Sequence, residues 1–211
     1  MNNAAARSVQ FVPTPAQEDA ARADFYAVLA RLWYAAPDRA LLATLADADE
    51  LSPEAERSEL ADAWRALAAA AAVADEEDVR VEYDETFVGT GRAPVSPYAT
   101  AYFTGSFKER VLVQLRDELA ELGLARDERV REPEDHFAAL CDVMRHLIAE
   151  GSGPAALERQ KRFFQRYLAP AYAGFVDAAQ AAPGAKFYRA VARFTRAYCD
   201  LEVESFNMLQ E

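Results

Sequence analysis

Apolar residues recur at three- and four-residue spacing in one segment of this chain after another, each stripe closing at proline or glycine. No stretch alternates apolar with polar as a half-buried strand would. Such a pattern restricts the chain to helices that each bury one face against the others. Phe25, Val28, Leu29, Leu32 and Trp33 form the first stripe, with Thr14 as cap, Pro15 at the first helical position and an end near Pro37. Asp38 caps a short helix bearing Leu41, Leu42 and Leu45, and Ser52-Pro53 opens one with Leu60, Trp64, Leu67 and Ala71 that ends near Ala74. After Asp75, the residues Val79, Tyr83 and Phe87 recur every fourth position. Ser106-Phe107-Lys108-Glu109 reads as a capping box for Val111, Leu112, Leu115, Leu119 and Leu122, stopped at Gly123.

Further along, Phe137, Leu140, Cys141, Met144, Leu147 and Ile148 form a stripe that Gly151 stops. Leu157, Lys161, Phe164 and Leu168 lead up to Pro170, and Tyr172, Phe175 and Val176 follow it. Beyond Pro183-Gly184, the last stripe runs through Phe187, Val191, Phe194, Tyr198 and Leu201 towards Phe206. The expected fold is an all-α, single-domain helical bundle of seven to nine helices over residues 15–211, with residues 1–14 as a flexible tail. A chain of 211 residues buries about 70% of the surface exposed on unfolding, so one core needs no covalent staples. Cys141 and Cys199 fall on apolar helix faces without metal-type spacing and are expected to be reduced core residues. The N-terminal segment has no apolar run of signal-peptide length and no segment approaches membrane-spanning length, which points to a cytoplasmic protein without membrane insertion.

Acids outnumber bases 35 to 23, a net charge of −12, which repels nucleic acids and anionic membranes and suits a cationic partner. Simple solubility explains the same balance equally well. Only two histidines, His136 and His146, are present, and there is no H-E-x-x-H or E-x-x-H element, P-loop lysine or G-x-S-x-G elbow. Gly89-Thr90-Gly91 lacks the third glycine and the preceding strand of a dinucleotide fingerprint. Neither catalytic machinery nor a bound cofactor is expected.

Two features stand out from this helical background. One is Glu132-Pro133-Glu134-Asp135-His136-Phe137, which places acids, imidazole and proline at the entrance of an apolar helix. Pro133 suits the first helical position, setting Glu134 and Asp135 in the first turn at the positive end of the helix dipole, with His136 at the edge of the buried stripe. On local chemistry alone, capping accounts for such residues more readily than binding does. The other is the loop Gly89 to Thr100, the one substantial interior break, whose flanks carry aromatics and proline: Tyr34, Tyr83, Phe87, Pro97, Tyr98, Tyr102 and Phe103. These are either ordinary core or one wall of a peptide groove.

Three blocks together resemble the TorD/DmsD family of chaperones for exported molybdoenzymes, related more distantly to NarJ. They are Leu32-Trp33-Tyr34-Ala35-Ala36-Pro37, the segment from Tyr83-Asp84-Glu85-Thr86-Phe87-Val88-Gly89 through Ser96-Pro97-Tyr98 to Tyr102, and Glu132 to Phe137. Phe163-Phe164 to Pro170 and Phe187-Tyr188-Arg189-Ala190 add to the likeness, which extends over most of the chain. The resemblance implies a non-enzymatic helical chaperone that holds the twin-arginine leader of a molybdopterin oxidoreductase until its cofactor is inserted. By matching positions, the leader-binding residues would be Tyr34, Tyr83, Phe87, Pro97, Tyr98, Pro133, Asp135 and His136. Asp135 is expected to engage the leader's arginines and His136 to fix the geometry of the helix entrance.

The resemblance further implies a client of the dimethyl-sulfoxide-reductase or formate-dehydrogenase type, and a monomer or homodimer. Gly91 stands where some members carry tryptophan, a departure that bears on the groove's lining. Some members have been proposed to bind guanine nucleotide. A helical scaffold or regulatory domain that binds proteins without leader specificity is the alternative reading.

Overall fold

Helix boundaries follow the punctuation of the sequence closely. The computed structural model describes residues 15–48, 58–89, 93–104, 108–127, 130–151 and 153–209. Among these, nine α-helices are present and no strand: α1 Pro15–Tyr34, α2 Arg39–Ala46, α3 Glu59–Val73, α4 Glu76–Tyr83, α5 Lys108–Glu121, α6 Phe137–Ala149, α7 Pro154–Phe163, α8 Tyr172–Ala181 and α9 Phe187–Met208. The all-α bundle read from periodicity is therefore the fold. Expectations placed on residues 1–14, on Ser52-Pro53, on Thr90 and Gly91, and on Ser106-Phe107 lie outside the described residues.

Caps form where short polar side chains precede the stripes. The Asp38 carboxylate accepts from the Leu41 N–H, the Ser58 hydroxyl from Ala61 and the Asp75 carboxylate from Glu77. Gly123 and Gly184 follow helix ends with φ of 70° and 80°, the left-handed conformation that a side chain disfavours. Two helices depart from simple periodicity, because α4 and α7 run on without a break into π-helical turns, Asp84–Val88 and Phe164–Leu168. The first is closed by a 2.7 Å bond from the Gly89 N–H to the Asp84 carbonyl, with Gly89 at φ 63°. Insertions of this kind recur at functional sites.

The core centres on α1 and α9. α1 packs most extensively on α6, while α9 is covered by α3 and α8. Trp33, at the heart of the molecule, has the rings of Phe87, Phe175 and Tyr188 within 6 Å and donates its indole N–H to the Thr195 hydroxyl at 3.0 Å. Cys141 and Cys199 are buried and unbridged, and burial pushes both thiols up. Gly174 has a packing reason, since a Cβ there would lie 3.1 Å from the Tyr102 ring.

One stripe differs from the sequence expectation. Leu201 is 42% exposed, and the buried position next to Tyr198 belongs to Glu202, 2% exposed. A stripe through Tyr198 and Phe206 advances by fours, so position 202 faces inward whatever it carries. Its carboxylate accepts from Arg22 at 2.8 and 2.9 Å and from the Tyr26 hydroxyl at 3.0 Å.

Candidate functional site

The segment before α6 is held by the interior loop, and that attachment decides where α6 begins. The Ala99 N–H donates to the Asp135 carbonyl at 2.8 Å, the Phe137 N–H donates to the Pro97 carbonyl at 2.9 Å, and Tyr98 and His136 form an isolated antiparallel bridge. With these backbone groups committed across the chain, residues 133–136 form a turn, closed by a His136 N–H bond to the Pro133 carbonyl, and the helix starts at Phe137. This corrects the sequence expectation: Pro133 is not the first helical residue, and Glu134 and Asp135 are not in the first turn. The cap is His136 itself, whose Nδ1 accepts from the Ala138 N–H at 3.2 Å.

Asp135 also has an inward task. It is 4% exposed, and its Oδ2 accepts from the Thr100 hydroxyl at 2.6 Å and the Thr100 N–H at 3.3 Å, fastening the 3₁₀ turn Ala99–Tyr102. The acid beside the rings is Glu132, whose Oε2 accepts from the Tyr98 hydroxyl at 2.5 Å. The His136 ring lies 5.8 Å from Tyr98 and 6.0 Å from Tyr34, edge-on to both. Tyr83 sits behind Tyr34, donating its hydroxyl to the Tyr34 carbonyl at 2.7 Å.

These residues edge a groove of about 620 Å³ between α1, α6 and the segment that follows α5. Its floor is small and apolar, with Ala27 and Ala30 from α1, Ala138, Ala139 and Val143 from α6, and Leu119, Leu124 and Val130 opposite. Tyr34, Glu132, Pro133 and His136 form one end. Tyr34 and His136 close the ends of their helices, so α1 and α6 run antiparallel here. Glu134 is held by Arg116 at 2.9 Å and Arg126 at 3.5 Å, and Arg145 by Asp142 at 2.8 Å. Arg31 also contributes to the lining.

Electrostatics fix the protonation of the cluster. The hydrogen bond to Glu132, with burial, pushes the Tyr98 phenol up to about 12. Burial, reinforced by the charges of Glu132 and Asp84, raises Tyr83 further. Burial lowers the His136 pKa against the opposing pull of Glu132 and Asp135. Both phenols are therefore protonated donors and the imidazole is neutral near pH 7. Among the described residues, no three His, Cys, Asp or Glu side chains are grouped as metal ligands.

Of the residues singled out in the sequence, Tyr34, Pro133 and His136 line the groove. Tyr83 and Tyr98 pack against them from behind, whereas Phe87, Pro97 and Asp135 lie in the supporting layer. Glu132, part of the acidic block, was not among the residues expected to bind, and the small residues of the floor were not singled out in the sequence. Ala27, Ala30 and Tyr34 on one helix, and Ala139, Val143 and His146 on the other, do share helical spacing, and that second stripe is the signal that marks them.

The model of the nitrate reductase delta subunit family matches residues 53–177 of this chain. The chain is also similar to the chaperone protein TorD of Vibrio parahaemolyticus serotype O3:K6, 25% identical over 177 residues, which cover 78% of this chain and 79% of the relative. Chaperone protein TorD of Ferrimonas balearica is 29% identical over 168 residues, 78% of this chain and 74% of the relative. That of Vibrio cholerae serotype O1 is 26% identical over 178 residues, 79% and 77% of the two chains.

Proposed function

The chain belongs to the nitrate reductase delta subunit family, alongside TorD-type chaperones, and we propose that it binds the twin-arginine leader of a molybdopterin oxidoreductase and delays export until the cofactor is in place. At the coarser level it is a redox-enzyme maturation chaperone and not an enzyme. Among the described residues, no helix is long and apolar enough to cross a membrane. The finer reading places the chaperone in the cytoplasm, where such a leader is still attached to its enzyme.

The observation that carries the reading is the groove with an apolar floor and a cluster of tyrosines, imidazole and carboxylate at one end. A leader of this kind joins a pair of arginines to an apolar stretch, and an amphipathic segment laid into a groove is recognised by these two features together. The planar guanidinium groups meet Glu132 and the faces of Tyr34 and His136, and the apolar stretch covers the alanine and valine floor. Asp135 supports this surface from below, because its carboxylate is engaged by Thr100. A groove open along one side suits reversible holding, since the leader must leave intact for export.

Calorimetry with a synthetic peptide carrying two consecutive arginines before about ten apolar residues tests the reading against its twin-lysine version. Lysine cannot form the bidentate or stacked contacts of arginine, and the exchange is expected to weaken binding about tenfold. Equal affinities would make the groove a general protein-binding surface of a helical scaffold.

A further inference from the structure

The last carbonyls of a helix have no partner within it, and at the end of α1 two distant phenols take their place. The Ala35 N–H reaches the Arg31 carbonyl at 3.4 Å. Tyr188, from α9, donates its hydroxyl to the Leu32 carbonyl at 3.0 Å. Tyr83, from the end of α4, donates to the Tyr34 carbonyl at 2.7 Å, with the Trp33 carbonyl 3.3 Å away. No glycine closes this helix, so side chains from two other elements complete its terminus.

The two phenols act on different residues. Tyr188 is fully buried and holds a core leucine. Tyr83 holds Tyr34, which is 52% exposed and presents its ring to the groove beside His136. Tyr83 is itself anchored from its neighbour: the Glu82 carboxylate accepts from the Lys186 and Tyr188 N–H groups at 2.8 Å and from Phe187 at 3.1 Å, at the start of the 22-residue α9. A carboxylate on three free N–H groups at the positive end of a long helix is a strong anchor. α4 is thus fixed to α9, and the π-helical turn follows directly at Asp84.

We infer that Tyr83 is a positioning residue for leader recognition, acting by closing the end of α1 through the Tyr34 carbonyl and so setting the angle at which the Tyr34 ring faces the groove. The inference rests on the groove being the leader site. It separates Tyr83 from the contact residues, among which the family resemblance had placed it, and it gives Glu82 the role of holding Tyr83 in register.

Tyr83→Phe, which keeps the ring and removes the donor, is compared with Tyr188→Phe, which removes the neighbouring donor on the same helix end. Two measurements are made on the full chain: affinity for the twin-arginine peptide, and the ring resonances of His136, identified against His146→Gln. Tyr83→Phe should weaken the peptide about three- to tenfold and shift the His136 ring resonances, since the Tyr34 ring current changes there. Tyr188→Phe should lower the melting temperature while leaving both readouts at wild-type values. Equal losses of affinity in the two variants, or unmoved His136 resonances in Tyr83→Phe, would overturn the inference. Should wild-type protein ignore the peptide while Tyr83→Phe still shifts His136, the positioning holds and the leader assignment falls.

Discussion

The two ends of α1 are built from similar residue types and do opposite things. Near its start, Arg22 meets Glu202, Tyr26 and Tyr198 donate hydroxyls to Glu202 and to the Arg22 carbonyl, and Gln160 both accepts from Arg22 and donates to the Leu147 and Gly151 carbonyls. Every polar group there is answered from within. At the other end, Tyr34, Tyr98, His136 and Glu132 are equally well connected to one another, but Tyr34, His136 and Glu132 stand on the lining of an open groove. A charged pair enclosed among aromatics locks helices together, whereas the same chemistry at the rim of an apolar channel remains available to another chain.

The largest expected effect is on the closed end. Glu202→Ala removes the two-pronged partner of Arg22, leaving its charge to Asp19 at 3.2 Å, and takes the acceptor from the Tyr26 hydroxyl; it should cost about 3 kcal/mol in chemical denaturation. Peptide affinity, measured where the variant is fully folded, should hold. If affinity falls with it, the two ends are coupled and the contrast between them is lost. Asp135→Ala comes next, at about 1 to 3 kcal/mol, because the Thr100 hydroxyl and N–H lose their acceptor. Faster proteolysis within residues 93–104 should accompany that loss, and unchanged stability with lost binding would instead make Asp135 a direct contact.

Glu132→Gln retains a hydrogen-bond acceptor for Tyr98, so stability should change by no more than about 0.5 kcal/mol. Peptide affinity should fall about fivefold and depend less on salt than in the wild type, since one ionic contact is gone. The smallest effect concerns pH. Folding holds His136 below its ordinary pKa of about 6.5, so the unfolded chain takes up the proton more readily. This contribution to stability is complete above that value and is lost progressively as pH falls below it. Protonated Nδ1 can no longer accept from Ala138, and Glu132 and Asp135 soften the loss by favouring the charged ring. His136→Asn, which can still cap α6, should flatten the decline between about pH 6.5 and 5 in urea titrations; an identical slope would place the titration elsewhere.

Much of the architecture was legible because helical periodicity is a local property. Phe137, Leu140, Cys141, Met144, Leu147 and Ile148 are all buried as their spacing requires, and Asp38 and Asp75 cap the helices they precede. The errors arose where a distant segment competes for backbone groups or where burial overrides residue type. Pro133 begins no helix because Pro97 and Ala99 take the backbone groups of Phe137 and Asp135 and leave residues 133–136 as a turn, and nothing within Glu132 to Phe137 announces that partner. Glu202 is inside because Arg22, 180 positions earlier, neutralises it. The site was legible in its aromatic and acidic blocks but not in its division of labour, since spacing cannot tell whether a carboxylate turns towards Thr100, like Asp135, or takes a place on the groove's lining, like Glu132.

The sequence by itself determined the helices and most of the apolar faces they bury, because those depend on residues within four positions of one another. Its blocks of Leu32 to Pro37, Tyr83 to Tyr102 and Glu132 to Phe137 also indicated the family. Only the tertiary structure decided which acid lines the groove, which phenols complete the end of α1 and where α6 starts. Each of those outcomes depends on hydrogen bonds between residues 34 to 156 positions apart, and such pairings are chosen by packing rather than by local preference.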